Sequence, residues 1–381
     1  MTIYLDNAAT APVRREVLEA MWPYLTADFG NPSSHHEVGD SAARGLADAR
    51  ARVAAVLNCR PAEVTFTGGG TESNNLAIKG LALGDLRGKH IVTTAIEHPA
   101  VLESCDYLHR FHGFEVTTVA VDSSGLLDLE AFKRALRPDT TLASVMYANN
   151  EVGTVQPLGE ISRLARESGV PLHSDAVQAA GWIPLTVDAL GVDALTIAGH
   201  KLGAPKGVGA LFVRRGIRLE PLLHGGGQES GRRSGTENVA AIVGLAHALE
   251  LAEQERQLYA KSISSLRDEF IADVLATVPG AILTGDRVER LPGSASFCFA
   301  GTGGEAVLLE LEQRGVTCSS GSACAAGSDE PSSVLTAMGI GRELAQTAVR
   351  FTLAASTTPQ QLASVASAVR QAVAAVNGIA V

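Results

Sequence analysis

The sequence predicts an α/β fold built on a largely parallel sheet. Three observations carry this expectation. Short runs rich in β-branched residues alternate with helix-length patterns through the first two-thirds of the chain, and such alternation covers both faces of a parallel sheet with helices. Hydrophobic residues make up 46% and charged residues 19% of the 381, the balance of a packed globule rather than a disordered chain. The chemistry-bearing motifs fall where strands end, and ligands of open α/β sheets bind beyond the carboxyl ends of strands.

In chain order, residues 63–67 read as a strand, followed by a glycine-rich turn and a helix over 72–81. Residues 89–94, 115–119, 142–147, 171–175 and 194–198 read as further strands, with helices such as 157–169 between them. An amphipathic pattern from 239 to about 275 reads as helices leading out of a first domain. After Pro279-Gly280 strands and helices resume, and an Ala/Val-rich helix runs from 359 to about 377. The length exceeds one ordinary core and suggests two domains.

Composition narrows the function. A net charge of −10 and a pI near 5.5 repel phosphate backbones, which argues against direct nucleic-acid binding. The start of the chain has no basic region followed by an apolar run, so no secretory signal is expected. The most apolar helical stretch, 239–252, contains His247 and Glu250 and is too short to span a bilayer, so no membrane association is expected. Five cysteines, Cys59, Cys105, Cys298, Cys318 and Cys324, lack paired metal-ligand spacing. The expectation is no metal site, reduced thiols and a cytoplasmic protein.

The stretch Ile197-Ala198-Gly199-His200-Lys201-Leu202-Gly203 is the most informative. A lysine held after a strand among small residues can approach a flat cofactor and form a Schiff base, and His200 beside it can donate to a phosphate. Alone, the stretch could equally be a basic surface turn. Asp175 ends the preceding strand, where a carboxylate can pair with a protonated pyridine nitrogen, although a strand-end Asp commonly caps the next helix. Gln178 can donate to a ring phenolate. Thr67-Gly68-Gly69-Gly70-Thr71 is a glycine turn entering a helix, a phosphate cradle that no Gly-Lys-Ser/Thr completes into a Walker loop. Each signal is weak singly and much stronger in this order.

In this order the chain resembles the fold-type I pyridoxal-phosphate (PLP) enzymes of the class V aminotransferase group, and among them the cysteine desulfurases of NifS/IscS type. The resemblance runs through Tyr4-Leu5-Asp6-Asn7, Phe29-Gly30-Asn31-Pro32, Thr71-Glu72-Ser73, Glu97-His98, Asn149-Asn150-Glu151-Val152-Gly153, the Asp175/Gln178 pair, His200-Lys201, His224-Gly225-Gly226-Gly227-Gln228-Glu229, Arg233-Ser234-Gly235-Thr236 and Arg350-Phe351-Thr352-Leu353. It implies a PLP-dependent transferase fold: a large domain (13–256) with a mostly parallel seven-stranded sheet, and a smaller α+β domain (1–12 with 257–381). It implies PLP on Lys201, His98 stacked on the ring, Asp175 at the pyridine nitrogen, and Gln178 and Asn150 near the ring oxygen and substrate. Gly70, Thr71 and His200 would hold the phosphate, with Thr236 reaching it from the second subunit of a homodimer. Arg350 would clamp the carboxylate of the L-cysteine substrate. One departure is visible: Ala198 stands where the family usually has a hydroxyl residue that donates to the phosphate, a loss of about 1.5–3 kcal/mol if nothing replaces it.

Residues 316–331 are a run of small residues that could be a flexible linker with incidental thiols. They also suit a tether that carries a nucleophile between a buried cofactor and a distant acceptor. Ser320-Gly321-Ser322-Ala323-Cys324 matches the long active loop of the NifS/IscS group, which implies Cys324 as the catalytic cysteine and an acceptor protein for its sulfur, such as an iron–sulfur scaffold or a tRNA-thiolation protein. Cys318 lies outside that motif and reads as structural, as do Cys59, Cys105 and Cys298. An aminotransferase or lyase on the same fold would need Lys201 and Asp175 but not Cys324. A selenocysteine lyase would share the chemistry, and a non-enzymatic sulfur carrier would lack the yellow absorbance of bound PLP.

Overall fold

The computed structural model describes residues 2–84, 87–320 and 330–378. A short strand β1 (Ile3–Tyr4) leads into helices α1 (Arg15–Thr26) and α2 (Glu37–Leu57). An alternating run follows: β2 (Val64–Thr67), α3 (Gly70–Gly84), β3 (His90–Thr94), α4 (Pro99–His112), β4 (Glu115–Val119), α5 (Leu129–Ala135), β5 (Thr140–Ser144), α6 (Leu158–Glu167), β6 (Leu172–Asp175), α7 (Val187–Leu190), β7 (Ala194–Ala198) and β8 (Gly209–Val213). The remainder comprises α8 (Val239–Thr277), β9 (Ala281–Leu283), β10 (Ser294–Phe299), α9 (Gly304–Gln313), β11 (Val316–Thr317), α10 (Ser333–Ala337), α11 (Arg342–Ala345), β12 (Ala348–Thr352) and α12 (Pro359–Val376).

Strands β2 to β8 form one seven-stranded sheet in the order β2-β8-β7-β6-β5-β3-β4. Only β8 runs against its neighbours, pairing antiparallel with both β2 and β7. The alternation expected of a doubly covered sheet is explicit in the packing. Val92, Ala143, Leu195 and Phe212 enter a core shared with α1, α2 and the first part of α8. Their strand neighbours Ile91, Leu142, Ala194 and Leu211 enter the opposite core, with Leu76 and Ile78 of α3 and Leu108 of α4. A further core holds Leu5, Phe270, Phe297 and Phe351. There Phe270 meets Phe297 and Phe351 edge-on at ring separations of 6.1 and 5.4 Å, a favoured aromatic geometry. Around it lie the three-stranded antiparallel sheet β12-β10-β9 and the parallel pair β1-β11.

Three local expectations change. The 239–275 pattern is a single helix of 39 residues, because no glycine or proline interrupts it after Gly244 until Pro279. Strand β5 starts at Thr140 rather than 142 and ends at Ser144. Beyond it the chain stays extended, since Val145 and Tyr147 N–H still donate to the carbonyls of His173 and Asp175. Strand β8 is an addition that the glycine-rich run 199–209 concealed. Among the described residues no helix is long and apolar enough to cross a membrane.

Candidate active site

The carboxyl ends of β2, β3, β6 and β7 open onto one cavity of about 500 Å³. Each end delivers a different group, and each is held by its local sequence. After β2, Gly69 takes φ +146°, a conformation closed to side-chain-bearing residues, and α3 begins at once at Gly70. Gly70 and Thr71 line the cavity. A Cβ on Gly70 would sit 3.1 Å from Val177 Cγ2 and 3.2 Å from the Ala198 methyl, so the helix N-terminus is pressed against the β6 and β7 ends. Its amide donors and positive dipole end suit a phosphate.

Asp175 is the last residue of β6 and is buried. Its Oδ2 accepts from Asn74 Nδ2 at 2.6 Å and its Oδ1 from the Val177 N–H at 2.9 Å. Lys201 follows β7 in a single 3₁₀ turn, Gly199–Lys201, and lines the same cavity. His200 beside it has Nδ1 3.3 Å from the Thr10 hydroxyl. Burial, then the neighbouring Lys201 and Lys206, push the His200 imidazole down to about 4, so it is neutral at physiological pH. Beyond β3, His98 is the N-cap of α4, with Pro99 at the first helical position. Its Nδ1 accepts from the Ala100 N–H at 3.0 Å, which places the ring proton on Nε2. Burial lowers its pKa first, and Lys201 lowers it further against the opposing effect of Asp175.

Gln178 and Asn150 also line the cavity. Gln178 Nε2 donates to the Ala8 carbonyl at 3.0 Å. Arg350, on β12, is almost wholly buried and reaches the cavity from the other sheet. It donates from Nη1 to the Asn150 carbonyl and from Nη2 to Asp6, both at 2.7 Å. Nine of the eleven expected site residues therefore face one space. Thr236 does not line it; it borders a separate depression of about 220 Å³ with Thr67, Gly68 and Arg233. Cys324 lies outside the described residues. Cys318 is half-buried, and burial, with Asp6 nearby, pushes its thiol up to about 12. Burial likewise raises Cys59 and Cys105 to about 12 and Cys298 to about 11, so these thiols are poor nucleophiles at neutral pH.

The residues present fit PLP. A helix N-terminus stands ready for the phosphate, a clamped carboxylate for the pyridine nitrogen and a strand-end lysine for the carbonyl carbon. Two buried polar atoms, Asn74 Oδ1 and Glu97 Oε2, have no hydrogen-bond partner among the described residues, and both side chains line this cavity. The sequence motifs contain Glu97 and Glu151 but assign them no role, and Asn74 follows directly after the Thr71-Glu72-Ser73 motif. The roles depend on partners far along the chain, such as Asp175 for Asn74, which no local spacing reports.

Fold and site together define an enzyme of the aminotransferase kind. The chain belongs to the class V aminotransferase family, which it matches over residues 3–365, and within it to the cysteine desulfurases. Its cofactor is PLP. It is 48% identical to "Cysteine desulfurase IscS" of Dictyoglomus turgidum, over 94% of this chain and 91% of that one. It is 46% identical to "Cysteine desulfurase NifS" of Azotobacter vinelandii, over 94% and 90%. Among solved structures, a "NIFS-LIKE PROTEIN" superposes with a TM-score of 0.91 at 37% identity, covering 97% of this chain and 99% of that one. "SspA in complex with cysteine" superposes at 0.82 with 37% identity, covering 93% and 99%.

The position of Ala198 yields a first expected result. Its methyl lies beside Gly70 at the cradle, so Ala198→Ser restores a hydroxyl there. PLP dissociation from Ala198→Ser, followed by absorbance during dialysis, is expected to slow about tenfold, the lower end of a charge-assisted hydrogen bond. An unchanged rate would mean that another donor already fills that place.

Proposed function

We propose that this chain removes the sulfur of L-cysteine as a persulfide on Cys324 and hands it to an acceptor protein. The observation that carries the reading is the convergence of Lys201, Asp175, His98 and Arg350 on one cavity, whose wall continues into residues 330–333 just after the Cys324 segment. When bound, PLP supplies an electron sink for the electron pair freed at the substrate α-carbon. Asp175 would hold the proton at the pyridine nitrogen, Gly70, Thr71 and His200 the phosphate, and Gln178 and Asn150 the ring oxygen and substrate. Arg350 would bind the substrate carboxylate, exchanging part of its present pairing for it. Lys201 would anchor the cofactor's carbonyl carbon and move the α-proton of the bound substrate. His98, neutral with its proton on Nε2, would exchange a proton with the substrate thiol.

The Cys324 thiolate then attacks the substrate sulfur. The sulfur–sulfur bond forms as the carbon–sulfur bond breaks, and the released electron pair remains on the β-carbon, which takes up a proton. The sum is L-cysteine and a thiol giving L-alanine and a persulfide, with no outside oxidant. Acceptors of suitable chemistry are an iron–sulfur scaffold or a tRNA-thiolation protein, working in the cytoplasm where thiols stay reduced. The test is L-alanine formed from L-cysteine together with a one-sulfur mass gain on the peptide containing Cys324.

The same reading divides the chain into a large domain, 13–256, and a small one of 1–12 with 257–381. The separate core of Phe270, Phe297 and Phe351, which Leu5 joins, supports that division. It also makes the enzyme a homodimer. Thr236 stands outside the cavity of its own chain, and α1 exposes an apolar stripe of Leu18, Trp22 and Leu25, the kind of surface a second copy covers. Light scattering is expected to give twice the 39.5 kDa chain mass. A fully active monomer would overturn the assembly.

A further inference from the structure

His200 lines the cavity with one ring nitrogen already engaged: its Nδ1 lies 3.3 Å from the hydroxyl of Thr10. Thr10 does not line the cavity itself, and its backbone is held in place from both sides. The Ala11 N–H donates to the His200 carbonyl at 2.9 Å, and the Arg14 N–H donates to the Gly203 carbonyl at 3.0 Å. Arg14 Nε donates to the Leu202 carbonyl at 3.2 Å. The Tyr4 hydroxyl donates to the Thr10 carbonyl at 2.8 Å. Residues 10–14 therefore run in a fixed register along the turn that carries His200 and Lys201, although Thr10 and His200 are 190 residues apart in sequence.

A neutral imidazole has one N–H, and the hydrogen bond made at one nitrogen decides whether the other donates or accepts. Burial keeps the His200 ring neutral. The Thr10 hydroxyl also has one hydrogen, so two arrangements exist. In the first, that hydrogen goes to His200 Nδ1 and the ring proton sits on Nε2. In the second, it goes to the His200 carbonyl, 3.4 Å away, the ring donates from Nδ1, and Nε2 is left with a lone pair. The carbonyl already accepts from the Ala11 N–H at the shorter distance of 2.9 Å, and a lone pair facing a phosphate is repelled by it, so the first arrangement wins. We propose that Thr10 is a positioning residue for the cofactor phosphate: its hydroxyl donates to His200 Nδ1 and so keeps the ring proton on Nε2, as a donor toward the phosphate. The proposal rests on the reading of His200 as a phosphate ligand. It matters the more in this chain because Ala198 brings a methyl, and no hydroxyl, to the same cradle.

The test compares Thr10→Val, Thr10→Ser and His200→Ala in the PLP-loaded enzyme. Absorbance during dialysis gives the rate of PLP release. NMR of isotope-labelled histidine reads which ring nitrogen of His200 carries the proton, its signals being those missing from His200→Ala. Thr10→Val keeps the shape and loses the hydroxyl. It is expected to release PLP about tenfold faster, the loss of one charge-assisted hydrogen bond, and to move the ring proton at least partly to Nδ1. Thr10→Ser keeps the hydroxyl and should restore both the wild-type rate and the proton on Nε2. Combined with His200→Ala, Thr10→Val should speed release no further, since the pair acts as a unit. Where Tm shows that Thr10→Val does not fold, Thr10→Ala carries the same comparison. An unchanged rate and tautomer in Thr10→Val overturns the proposal. So does faster release with the proton still on Nε2, or a further speeding in the double variant, because both are the signature of a structural contact. His200→Ala by itself separates the two readings. Wild-type release from it overturns the phosphate role of His200 and the proposal with it; faster release from it beside unchanged release from Thr10→Val overturns the role of Thr10 alone.

Discussion

Cys324→Ala is expected to bind PLP, respond spectrally to L-cysteine and yield almost no alanine. The groups of the cavity, Lys201, Asp175 and the Gly70–Thr71 cradle, lie on strand ends of the large sheet and are untouched by the change. Only the attack on sulfur is lost. Cys324→Ser should behave alike, because a hydroxyl at neutral pH is a far poorer nucleophile toward sulfur than a thiolate. A fall of about 10³-fold or more in alanine formation, equivalent to about 4 kcal/mol of barrier, is the expected size. Cys318→Ala should leave turnover near normal. Its thiol is pushed up to about 12 by burial, so almost none is ionised at pH 7, and it packs against the smaller core. The measurements are alanine yield and a one-sulfur mass gain on tryptic peptides. A gain on Cys318 would move the nucleophile by one cysteine. Wild-type alanine formation by Cys324→Ala would return the site to aminotransferase or lyase chemistry.

Lys201→Ala is expected to remove the visible absorbance of lysine-bound PLP and turnover together. Lys201 sits one 3₁₀ turn beyond β7, between Ala198 and the tight turn at Gly203, whose φ is +86°. No other lysine lines the cavity, so none among the described residues can take over the proton at the substrate α-carbon. Loss of a positioned acid–base alone costs about 10²–10⁴-fold, and loss of the covalent anchor adds to it. Absorbance spectra and alanine assays on the purified variant check this. Turnover at the normal rate would contradict PLP chemistry at this lysine.

Much of this was legible in the sequence because it is local. A β-branched run, a glycine turn and an amphipathic helix specify strand–turn–helix units without reference to the rest of the chain. Thr67 to Thr71, Asp175 to Gln178 and Ala198 to Lys201 therefore mark strand ends directly. The fold class and most of the cavity's lining follow from these units, since a parallel sheet gathers its carboxyl ends on one side. The strand β8 was hidden because Gly209-Ala210 looks like a continuation of the glycine-rich turn. Its register with β2 and β7 is a tertiary choice that shields Phe212 on one face and Leu211 on the other.

The polar contacts that complete the site belong to the same tertiary layer. Asn74 clamps Asp175 across 101 residues, Arg350 reaches Asp6 across 344, and Ser332 meets Glu151 across 181. Such pairs leave no periodic trace, because a hydrogen bond between distant segments depends on where the packed sheet and helices bring them, not on spacing along the chain. The sequence alone thus determined the chemistry available to this protein: a lysine, a carboxylate, a phosphate cradle and a thiol in a tract of small residues. Only the tertiary structure decided how those groups are oriented, since their orientation is held by buried partners whose desolvation is offset only when the whole fold is in place.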